Sequence, residues 1–267
     1  MTQIVEAASR HLAMAPAQPG SQPGSQPGAR RSADAGVLRA EAAQAAVQTG
    51  VQGAAISLLG TTAMLFEAPG LLELSVQRRI WALARVVEAW PGVREAVPGV
   101  TNLMLTFAEP PADPDAFSAA LLDAWEAAGE LQVEGRLVEL QVIYGGESGP
   151  HIGDVVAHTG LSIDDIVELH CAPLYTVYAL GSHPGYCYLG GMDPRIATPR
   201  RKVPVLGLPG GAVSIGGVQT GVSASAGPSG WNTIGHTSMS FFDPSKPNPA
   251  TLAPGDMIRF RVERIIR

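Results

Sequence analysis

Residues 210–222 read GGAVSIGGVQTGV, two short apolar runs separated by a pair of glycines. Short apolar runs that alternate with glycine are the pattern of short strands with turn residues between them. Similar short runs, bounded by glycine and proline, recur through the last third of the chain: Thr176–Leu180, Gly211–Ile215, Gly217–Val222, Thr233–Phe242 and Asp256–Glu263. Many short strands with turn residues between them predict a closed or nearly closed β-barrel.

The segment before these runs supplies one more strand and a helical hairpin. Residues 137–144 alternate as a half-buried strand, and residues 152–159 and 162–170 are predicted helices. Gly160 is placed to end the first helix, and Ser162 and Asp165 are spaced as an acidic capping box for the second. The barrel domain is therefore predicted to span residues 135–267.

Residues 54–134 show a different pattern. Strand-like runs at 55–60, 63–67, 93–97 and 102–107 alternate in pairs with two amphipathic helices, one capped by Ser75 and one spanning 113–129. In the first helix, Arg78, Arg79 and Glu88 are expected to face water. This order predicts a small α/β sandwich with two helices on one face of a mainly antiparallel sheet. Together with the barrel it gives an α+β protein.

Residues 1–53 are predicted to be a disordered or weakly helical tail. Residues 17–35 repeat Gln-Pro-Gly-Ser, and this proline and glycine content opposes both helices and sheets. Residues 37–51 are rich in alanine but offer few large apolar side chains for a packed face.

Composition excludes several classes of function. The formal net charge is -6, and Lys202 and Lys246 are the only lysines among 18 basic residues, so nucleic acid is not an expected partner. The two cysteines, Cys171 and Cys187, lack the spacing of a zinc site or a disulfide framework. No signal peptide and no run of about 18 apolar residues is visible. A cytoplasmic protein without a membrane segment is the expectation.

Two glycine-rich loops, residues 181–191 and 210–221, stand out as candidate ligand sites. Dense glycine lets a ligand approach bare backbone N–H groups, and an anion would suit such a site. Alternatively, these glycines serve only the corners and bulges of the barrel. Neither loop has the sequence of a P-loop or of a dinucleotide fingerprint.

Four side chains near these loops are candidates for binding. Arg200, followed by Arg201 and Lys202, lies in the densest positive stretch of the chain and suits a carboxylate or a phosphate. Gln219 and Thr220 could orient an amide-like substrate, and Trp231 could form a pocket wall. The alternatives are a solvated charge cluster, a satisfied buried polar pair and a core tryptophan, respectively.

His183 and His236 are the only side chains in these motifs with a reference pKa near neutrality, so they are the candidates for proton transfer. No carboxylate is adjacent to either in sequence. Glu147 and Asp193 could act as a base or hold a magnesium ion beside a nucleotide, but capping of turns is the favoured interpretation for both. No Ser-His-Asp order or nucleophile elbow is present.

A set of motifs between residues 54 and 267 carries a family resemblance. The motifs are Tyr144-Gly145-Gly146-Glu147, Pro184-Gly185-Tyr186 with Tyr188-Leu189-Gly190-Gly191, Thr198-Pro199-Arg200, Gly217 with Gln219-Thr220-Gly221, and Pro228 with Gly230-Trp231 and Ile234-Gly235. Together they resemble the family of 5-oxoprolinase B subunits, also called KipI-like or allophanate hydrolase subunit 1.

The resemblance implies a cyclophilin-like barrel behind the α/β domain. It also implies a subunit, inactive alone, of an ATP-dependent lactam hydrolase that opens 5-oxoproline to glutamate. The implied partners are a homologous larger subunit and a third protein, and ATP with magnesium is the implied cosubstrate, without a tightly bound cofactor or a metal site.

We predict two groups of site residues from these motifs. Catalytic roles are predicted for His183, His236 and Gln219. Substrate or nucleotide binding is predicted for Pro184, Gly185, Tyr186, Gly190, Gly191, Arg200, Thr220 and Trp231. The hypothesis requires residues 175–265 to bring Pro184, Arg200, Gln219 and Trp231 to one cleft.

The chain departs from the family pattern at several positions, among them Ser182, Ala212, Ser223 and His236. At position 236 a neutral imidazole replaces a permanently charged guanidinium. The alternatives are therefore a urea- or allophanate-type carboxyltransferase or hydrolase subunit, and a non-catalytic protein that inhibits a histidine kinase.

Overall fold

A computed structural model describes residues 53–267. The predicted Gln-Pro-Gly-Ser tail at 17–35 and the alanine-rich segment at 37–51 lie outside the described residues. The described residues belong to one compact unit by their contacts. The division into domains at 54–134 and 135–267 stays a prediction.

The first part of the described chain is a four-stranded antiparallel sheet with two helices. Its elements are β1 (Ala55–Leu58), β2 (Ala63–Glu67), α1 (Leu74–Val87), β3 (Val93–Pro98), β4 (Asn102–Phe107) and α2 (Pro114–Ala127). The strand order is β1-β2-β4-β3. Alternate residues such as Phe66 and Leu103 are buried, and they share one hydrophobic cluster with Leu83 of α1 and Trp125 of α2. Both helices therefore cover the same face of the sheet, as predicted.

Two details of the helices differ from the prediction. Ser75 does not cap α1, because the helix already begins at Leu74 and its N-cap is Glu73 in an extended conformation. Arg79 does not face water. Its guanidinium lies 3.9 Å from the centroid of the Trp125 ring and so connects α1 to α2. It also donates to the carbonyls of Trp125 and Ala128 and thereby caps the C-terminal end of α2.

The second part opens with β5 (Leu137–Gly145), α3 (Ile152–Thr159) and α4 (Ile163–Cys171). Gly160 ends α3 in the left-handed conformation at φ 73°, which a glycine adopts without steric cost. Ser162 and Asp165 form the predicted capping box at the start of α4, with the Ser162 hydroxyl accepting from the Asp165 N–H. Both predictions from local sequence are confirmed.

Seven strands close into the predicted barrel, in the order β10-β7-β6-β13-β5-β12-β9. The remaining strands are β6 (Tyr175–Leu180), β7 (Cys187–Gly190), β8 (Val205–Leu208), β9 (Ala212–Gly216), β10 (Gln219–Val222), β11 (Gly227–Ser229), β12 (Asn232–His236) and β13 (Met257–Ile266). Strands β8 and β11 form a separate two-stranded ribbon, and a short 3-10 helix covers Pro194–Ile196. The barrel interior is a second hydrophobic cluster that includes Val177, Leu189, Ile215 and Phe260.

The barrel strands differ from the predicted runs at two places. Strand β7 lies inside the glycine-rich loop 181–191 and pairs with both β6 and β10. Strand β12 ends at His236 rather than at Phe242, because His236 pairs with Ala212, the first residue of β9. Beyond that position β12 has no β9 residue left to pair with.

Buried hydrogen bonds connect helix α1 to the barrel. The side-chain amide of Gln77, which is fully buried, donates to the carbonyls of Gly99 and Tyr178, and its oxygen accepts from the Thr101 N–H. The indole N–H of Trp81 donates to the same Tyr178 carbonyl. Tyr178 lies on β6, so this strand is held by backbone hydrogen bonds to its neighbouring strands and by side-chain hydrogen bonds from α1.

Residues 53–267 contain neither a membrane-spanning helix nor a cluster of metal-binding side chains. No helix in this part of the chain has both the length and the apolar character needed to cross a bilayer. Nor does this part contain a group of three or more His, Cys, Asp or Glu residues arranged to hold a metal ion.

Candidate functional site

The two faces of strands β9 and β10 have different roles. Val213 and Ile215 on β9, and Val222 on β10, belong to the barrel core. Because side chains alternate along a strand, Gly216 and its cross-strand partner Gln219 lie on the outer face. Four of the predicted site residues, Gln219, Tyr186, Trp231 and Arg200, lie on or against the outer face of β7, β9 and β10.

Glycines on this face give aromatic rings direct access to the sheet. A Cβ atom on Gly216 would lie 2.4 Å from the Trp231 ring, and one on Gly221 would lie 2.7 Å from the Tyr186 hydroxyl. Real side chains do not tolerate such distances, so only glycine permits these rings to lie against the backbone. At both positions glycine therefore serves aromatic packing rather than anion contact.

Three aromatic rings and one arginine form a continuous cluster on the outer face. The ring centroids of Tyr186 and Tyr188 are 4.8 Å apart, and Trp231 lies 6.1 Å and 6.0 Å from them, respectively. The guanidinium carbon of Arg200 lies 5.5 Å from the centroid of the Trp231 ring. We call Tyr186, Tyr188, Trp231 and Arg200 the aromatic cluster; it joins the first glycine-rich loop to the segment around Arg200.

The positive charge of Arg200 affects the buried phenol of Tyr186 in this cluster. Burial raises the pKa of the Tyr186 phenol, the neighbouring Tyr188 raises it further, and the positive charge of Arg200 offsets part of the increase. Tyr186 is therefore a neutral hydrogen-bonding group and not a proton acceptor near pH 7. Arg200 forms no ion pair with the described residues, and so its charge is available for a ligand.

Gln219 has an unusual side chain at this face. It is only 9% exposed, and its amide nitrogen is buried without a hydrogen-bond partner among the described residues. A buried amide N–H without an acceptor destabilises the folded state, so an acceptor, either a water molecule or a ligand, is expected at this nitrogen. Gln219 pairs with Gly216, on which Trp231 lies, and this places its backbone beside the aromatic cluster.

The two predicted proton-transfer histidines lie at the opposite end of β9 and β10. Nε2 of His183 accepts from the Ser225 N–H at 3.3 Å, and its ring centroid is 5.3 Å from that of Tyr186. Nε2 of His236 donates to the Gly210 carbonyl at 2.8 Å. Neither histidine has a hydrogen bond or a ring contact with Arg200 or Trp231 among the described residues, and His183 contacts the aromatic cluster only at Tyr186. Of the residues with a predicted catalytic role, Gln219 is the one whose strand position lies beside Trp231.

The hydrogen bonds of the two histidines leave different ring nitrogens without a partner. The lone pair at Nε2 of His183 is used by a backbone N–H, and burial lowers the pKa of this imidazole. In neutral His236, Nε2 carries the proton and Nδ1 keeps a lone pair. Of the two, His236 is the one whose neutral form keeps a ring lone pair that accepts no hydrogen bond from the described residues.

Thr220 points into the barrel rather than toward the outer face. Its hydroxyl donates to the Ser214 carbonyl at 3.0 Å and contacts Nε2 of His170 at 3.0 Å. Both partners are groups of the protein and Thr220 is fully buried, so its side chain is not accessible to a ligand on the outer face. The sequence did not show this, because a single step in register decides which of Gln219 and Thr220 faces inward.

The remaining predicted binding residues are largely structural. A Cβ on Gly190 would lie 2.1 Å from the Tyr178 ring, and Gly191 has φ 101°, a value that favours glycine. Gly185 has φ 81° and its Cα lies against the backbone of Phe241. Pro184 is exposed beside His183, at the histidine end of the strands. These residues shape the first loop around Tyr186.

The predicted acidic candidates do not reach the cluster. Asp193 caps the short 3-10 helix by accepting from the Arg195 N–H, and its carboxylate pairs with the Arg195 guanidinium at 2.7 Å. This arrangement lowers the pKa of Asp193, through the Arg195 side chain first. Turn capping is thus confirmed for Asp193. Glu147 is exposed in the turn after β5.

Comparison with known proteins agrees with these motifs. The family model described as carboxyltransferase domain, subdomain C and D, matches residues 54–252. A 5-oxoprolinase B subunit from Escherichia coli O157:H7 is 43% identical over 217 residues, covering 79% of this chain and 96% of the relative. A protein of the same name from Bacillus subtilis (strain 168) is 34% identical over 218 residues, covering 77% of this chain and 91% of the relative.

Solved structures share the fold. The crystal structure of a protein named TTHA0988 has a TM-score of 0.61 at 33% identity; the match covers 75% of this chain, which spans only 39% of that protein. The K. lactis urea amidolyase has a TM-score of 0.68 at 18% identity, over 78% of this chain and 15% of that protein. At this identity the second likeness concerns the fold alone. From the family match and the close relatives, we conclude that this chain belongs to the carboxyltransferase domain C and D family and, within it, to the family of 5-oxoprolinase B subunits.

Proposed function

We propose that this chain is the B subunit of a 5-oxoprolinase, which opens 5-oxoproline to glutamate at the expense of ATP. Membership of the family supports the proposal, since relatives that match most of the chain carry this name. The observation that carries it is the outer-face site, where an unpaired guanidinium lies beside aromatic rings and the residue with the unsatisfied amide, Gln219, pairs with the glycine on which Trp231 packs.

The chemistry of this site suits 5-oxoproline, a small ring with a carboxylate and a lactam carbonyl. Arg200 would bind the carboxylate, because a guanidinium forks onto two oxygens. Trp231 and Tyr186 would pack against the ring, and the Gln219 amide would donate to the lactam carbonyl. A donor there would stabilise the negative charge that develops on this oxygen as the lactam is activated.

The described residues do not supply every group that lactam opening needs. No carboxylate lies in the aromatic cluster, and His183 and His236 each already use one ring nitrogen in a backbone contact. An unstrained lactam also needs phosphoryl transfer to become reactive. These gaps support a partner chain, and we propose that a homologous larger subunit completes the site and that a third subunit takes part.

The test is co-expression of the chain with its larger and third subunits, followed by an assay of ATP hydrolysis that depends on 5-oxoproline. For Arg200→Gln we expect KM for 5-oxoproline to rise by about 10- to 100-fold, the usual effect of losing a hydrogen bond to a charged group. Arg195→Gln is the matched control, because that arginine pairs only with Asp193 outside the cluster. An unchanged KM for Arg200→Gln, or no activity in the complete set, would refute the assignment.

A second candidate is a non-catalytic protein that binds and inhibits a kinase. The observation that favours it is His236, whose Nε2 is held by the Gly210 carbonyl where the family pattern has a charged arginine. Isothermal titration of 5-oxoproline against the co-purified subunits separates the two functions. Binding of 5-oxoproline excludes the second candidate, whereas its absence together with tight binding to a kinase domain supports it.

The proposal places the protein in the cytoplasm. Both cysteines are free: Cys171 is partly buried and Cys187 is buried. Free thiols are compatible with a reducing compartment.

A further inference from the structure

A cavity of about 410 Å³ lies beside Arg200. It is lined mainly by residues 198–203, together with Asp154 and His158 of α3 and Asn232 of β12. None of the three rings of the aromatic cluster lines it, so the cavity shares only Arg200 with that cluster. We refer to it as the basic cavity.

The charges around the basic cavity are predominantly positive. Arg200, Arg201 and Lys202 contribute three cations, and Asp154 contributes the one carboxylate of the lining. That carboxylate forms an ion pair with Arg201. Neither Arg200 nor Lys202 has an ion-pair partner among residues 53–267, so two positive charges border the cavity without compensation.

Arg201 also has a donor that the protein leaves unused. One of its terminal nitrogens is on Asp154, while its Nε is buried without an acceptor. Across residues 53–267, only Arg201 Nε and Gln219 Nε2 are buried side-chain polar atoms without a partner. Both are N–H donors. Gln219 does not line the basic cavity, whereas Arg201 does, and a guanidinium, which has donors only, suits a ligand that offers acceptor oxygens.

The segment that carries the three cations is held in place by backbone hydrogen bonds. Thr198 exchanges two of them with Gly217, at 3.1 Å and 2.7 Å, and the Arg201 N–H donates to the Gly230 carbonyl at 2.7 Å. The Asn232 side chain donates to the Pro199 carbonyl at 2.8 Å. The cations are therefore presented by a fixed backbone, which reduces the entropy lost when a ligand binds.

We propose that the basic cavity binds a phosphate-class oxyanion. Its volume accommodates a phosphate group or a short phosphate chain, and its lining contains no Phe, Tyr or Trp ring for a nucleobase to stack on. The ligand is either free phosphate or the phosphates of a nucleotide. Only the second source rests on the proposed ATP-dependent function; the oxyanion site itself does not.

The experiment is isothermal titration of the purified full-length chain, at low ionic strength, with inorganic phosphate, ATP, adenosine and 5-oxoproline. We expect phosphate and ATP to bind and adenosine not to bind. Binding should weaken as salt is added, because the cations border an open cavity and are screened over a Debye length of about 8 Å at physiological ionic strength. Tighter binding of ATP than of phosphate identifies the nucleotide as the source, and the reverse order identifies free phosphate.

Two substitutions that remove charges of opposite sign test whether the anion binds in the basic cavity. Lys202→Gln should weaken phosphate binding on the order of tenfold, because it removes a charged donor. Asp154→Asn should tighten it by about threefold or more, because it removes the one carboxylate of the lining. Lys246→Gln changes the chain's other lysine, which pairs with Asp243 away from the cavity, and should have no effect.

The proposal is overturned if phosphate and ATP fail to bind, if adenosine binds as well as ATP, or if Lys202→Gln and Asp154→Asn leave the affinity unchanged. These outcomes are independent of lactam opening. Loss of 5-oxoproline-dependent activity in the complete enzyme, with phosphate binding and its response to both substitutions retained, would defeat the proposed function and leave the oxyanion site standing.

Discussion

Gly216 determines at the residue scale where Trp231 lies, because the indole occupies the space that a side chain would fill. Gly216→Ala should therefore displace the ring and cost about 1–3 kcal/mol of folding stability, the usual cost of overpacking. In the assembled enzyme it should also raise KM for 5-oxoproline.

Gly230→Ala is a matched control for this substitution. Gly230 precedes Trp231, and an added Cβ there meets no atom within 4 Å. Urea unfolding and tryptophan fluorescence of the two variants check the prediction. Equal stability and equal fluorescence for both would show that the glycine does not position the ring.

His170 is a second residue whose environment fixes its chemical state. Thr220 donates its only hydroxyl proton to the Ser214 carbonyl, so Nε2 of His170 must be the donor in its contact with Thr220. Nδ1 then accepts from the Tyr144 hydroxyl at 2.8 Å. The chain of hydrogen bonds runs in one direction through a neutral imidazole at the centre of the barrel.

This environment predicts loss of stability in acid. Burial lowers the pKa of His170 from 6.5 to about 3. Between these values the unfolded chain takes up a proton that the folded chain does not, so the contribution of this group to stability falls as pH decreases. The slope is at most about 1.4 kcal/mol per pH unit.

The measurement is urea unfolding of the unaltered protein, His170→Gln and the exposed-residue control His158→Gln between pH 7 and pH 4. His170→Gln should lower stability at neutral pH but lose less stability on acidification, whereas His158→Gln should follow the unaltered protein. Parallel pH profiles for all three proteins would contradict a neutral, buried His170.

Helix α1 shows at the element scale how one buried side chain joins separate parts of the chain. Gln77 uses both amide protons and its oxygen, contacting Gly99, Thr101 and β6. Gln77→Met keeps the volume but leaves the Gly99 carbonyl and the Thr101 N–H without these partners. We expect a loss of about 2–4 kcal/mol in unfolding free energy.

The control for this prediction is Gln132→Met, at an exposed position, which should change stability by less than about 0.5 kcal/mol. Chemical denaturation compares the two variants. A change below about 1 kcal/mol for Gln77→Met, the size of an ordinary single hydrogen bond, would show that the amide does not couple α1 to β6.

At the scale of the whole molecule, the two hydrophobic clusters should unfold together. They contain different residues, but Gln77 and Trp81 both donate to the Tyr178 carbonyl, which is buried between α1 and the barrel. Separating the clusters would break both hydrogen bonds. We therefore expect a single transition.

Tryptophan fluorescence tests this expectation, because Trp125 belongs to the first cluster and Trp231 covers the barrel. Each of the variants Trp125→Phe and Trp231→Phe is unfolded in urea and followed both by tryptophan fluorescence and by circular dichroism. For each variant, the two probes should give the same midpoint. Two separate midpoints would instead support independent domains at 54–134 and 135–267.

Local sequence determined much of this protein. The alternation of apolar residues predicted the sheet of the first part and most barrel strands, and Gly160 and Ser162 marked helix ends correctly, because these signals act within a few residues. The combined motifs indicated the family, which the comparisons confirm. Strand β7 was missed because it is only four residues long and lies within a glycine-rich segment, and its ladders with β6 and β10 come from other segments of the chain.

Only the tertiary structure decided which residues of the site meet. Closure of the barrel sets the register of β10 against β7 and β9, and this register turns Thr220 inward and leaves Gln219 outside. It also brings Arg200 to Trp231 while holding His183 and His236 at the other end of the strands. A side chain's face changes with every residue along a strand, and pairing between distant segments fixes that face, so no local pattern in the sequence contains it.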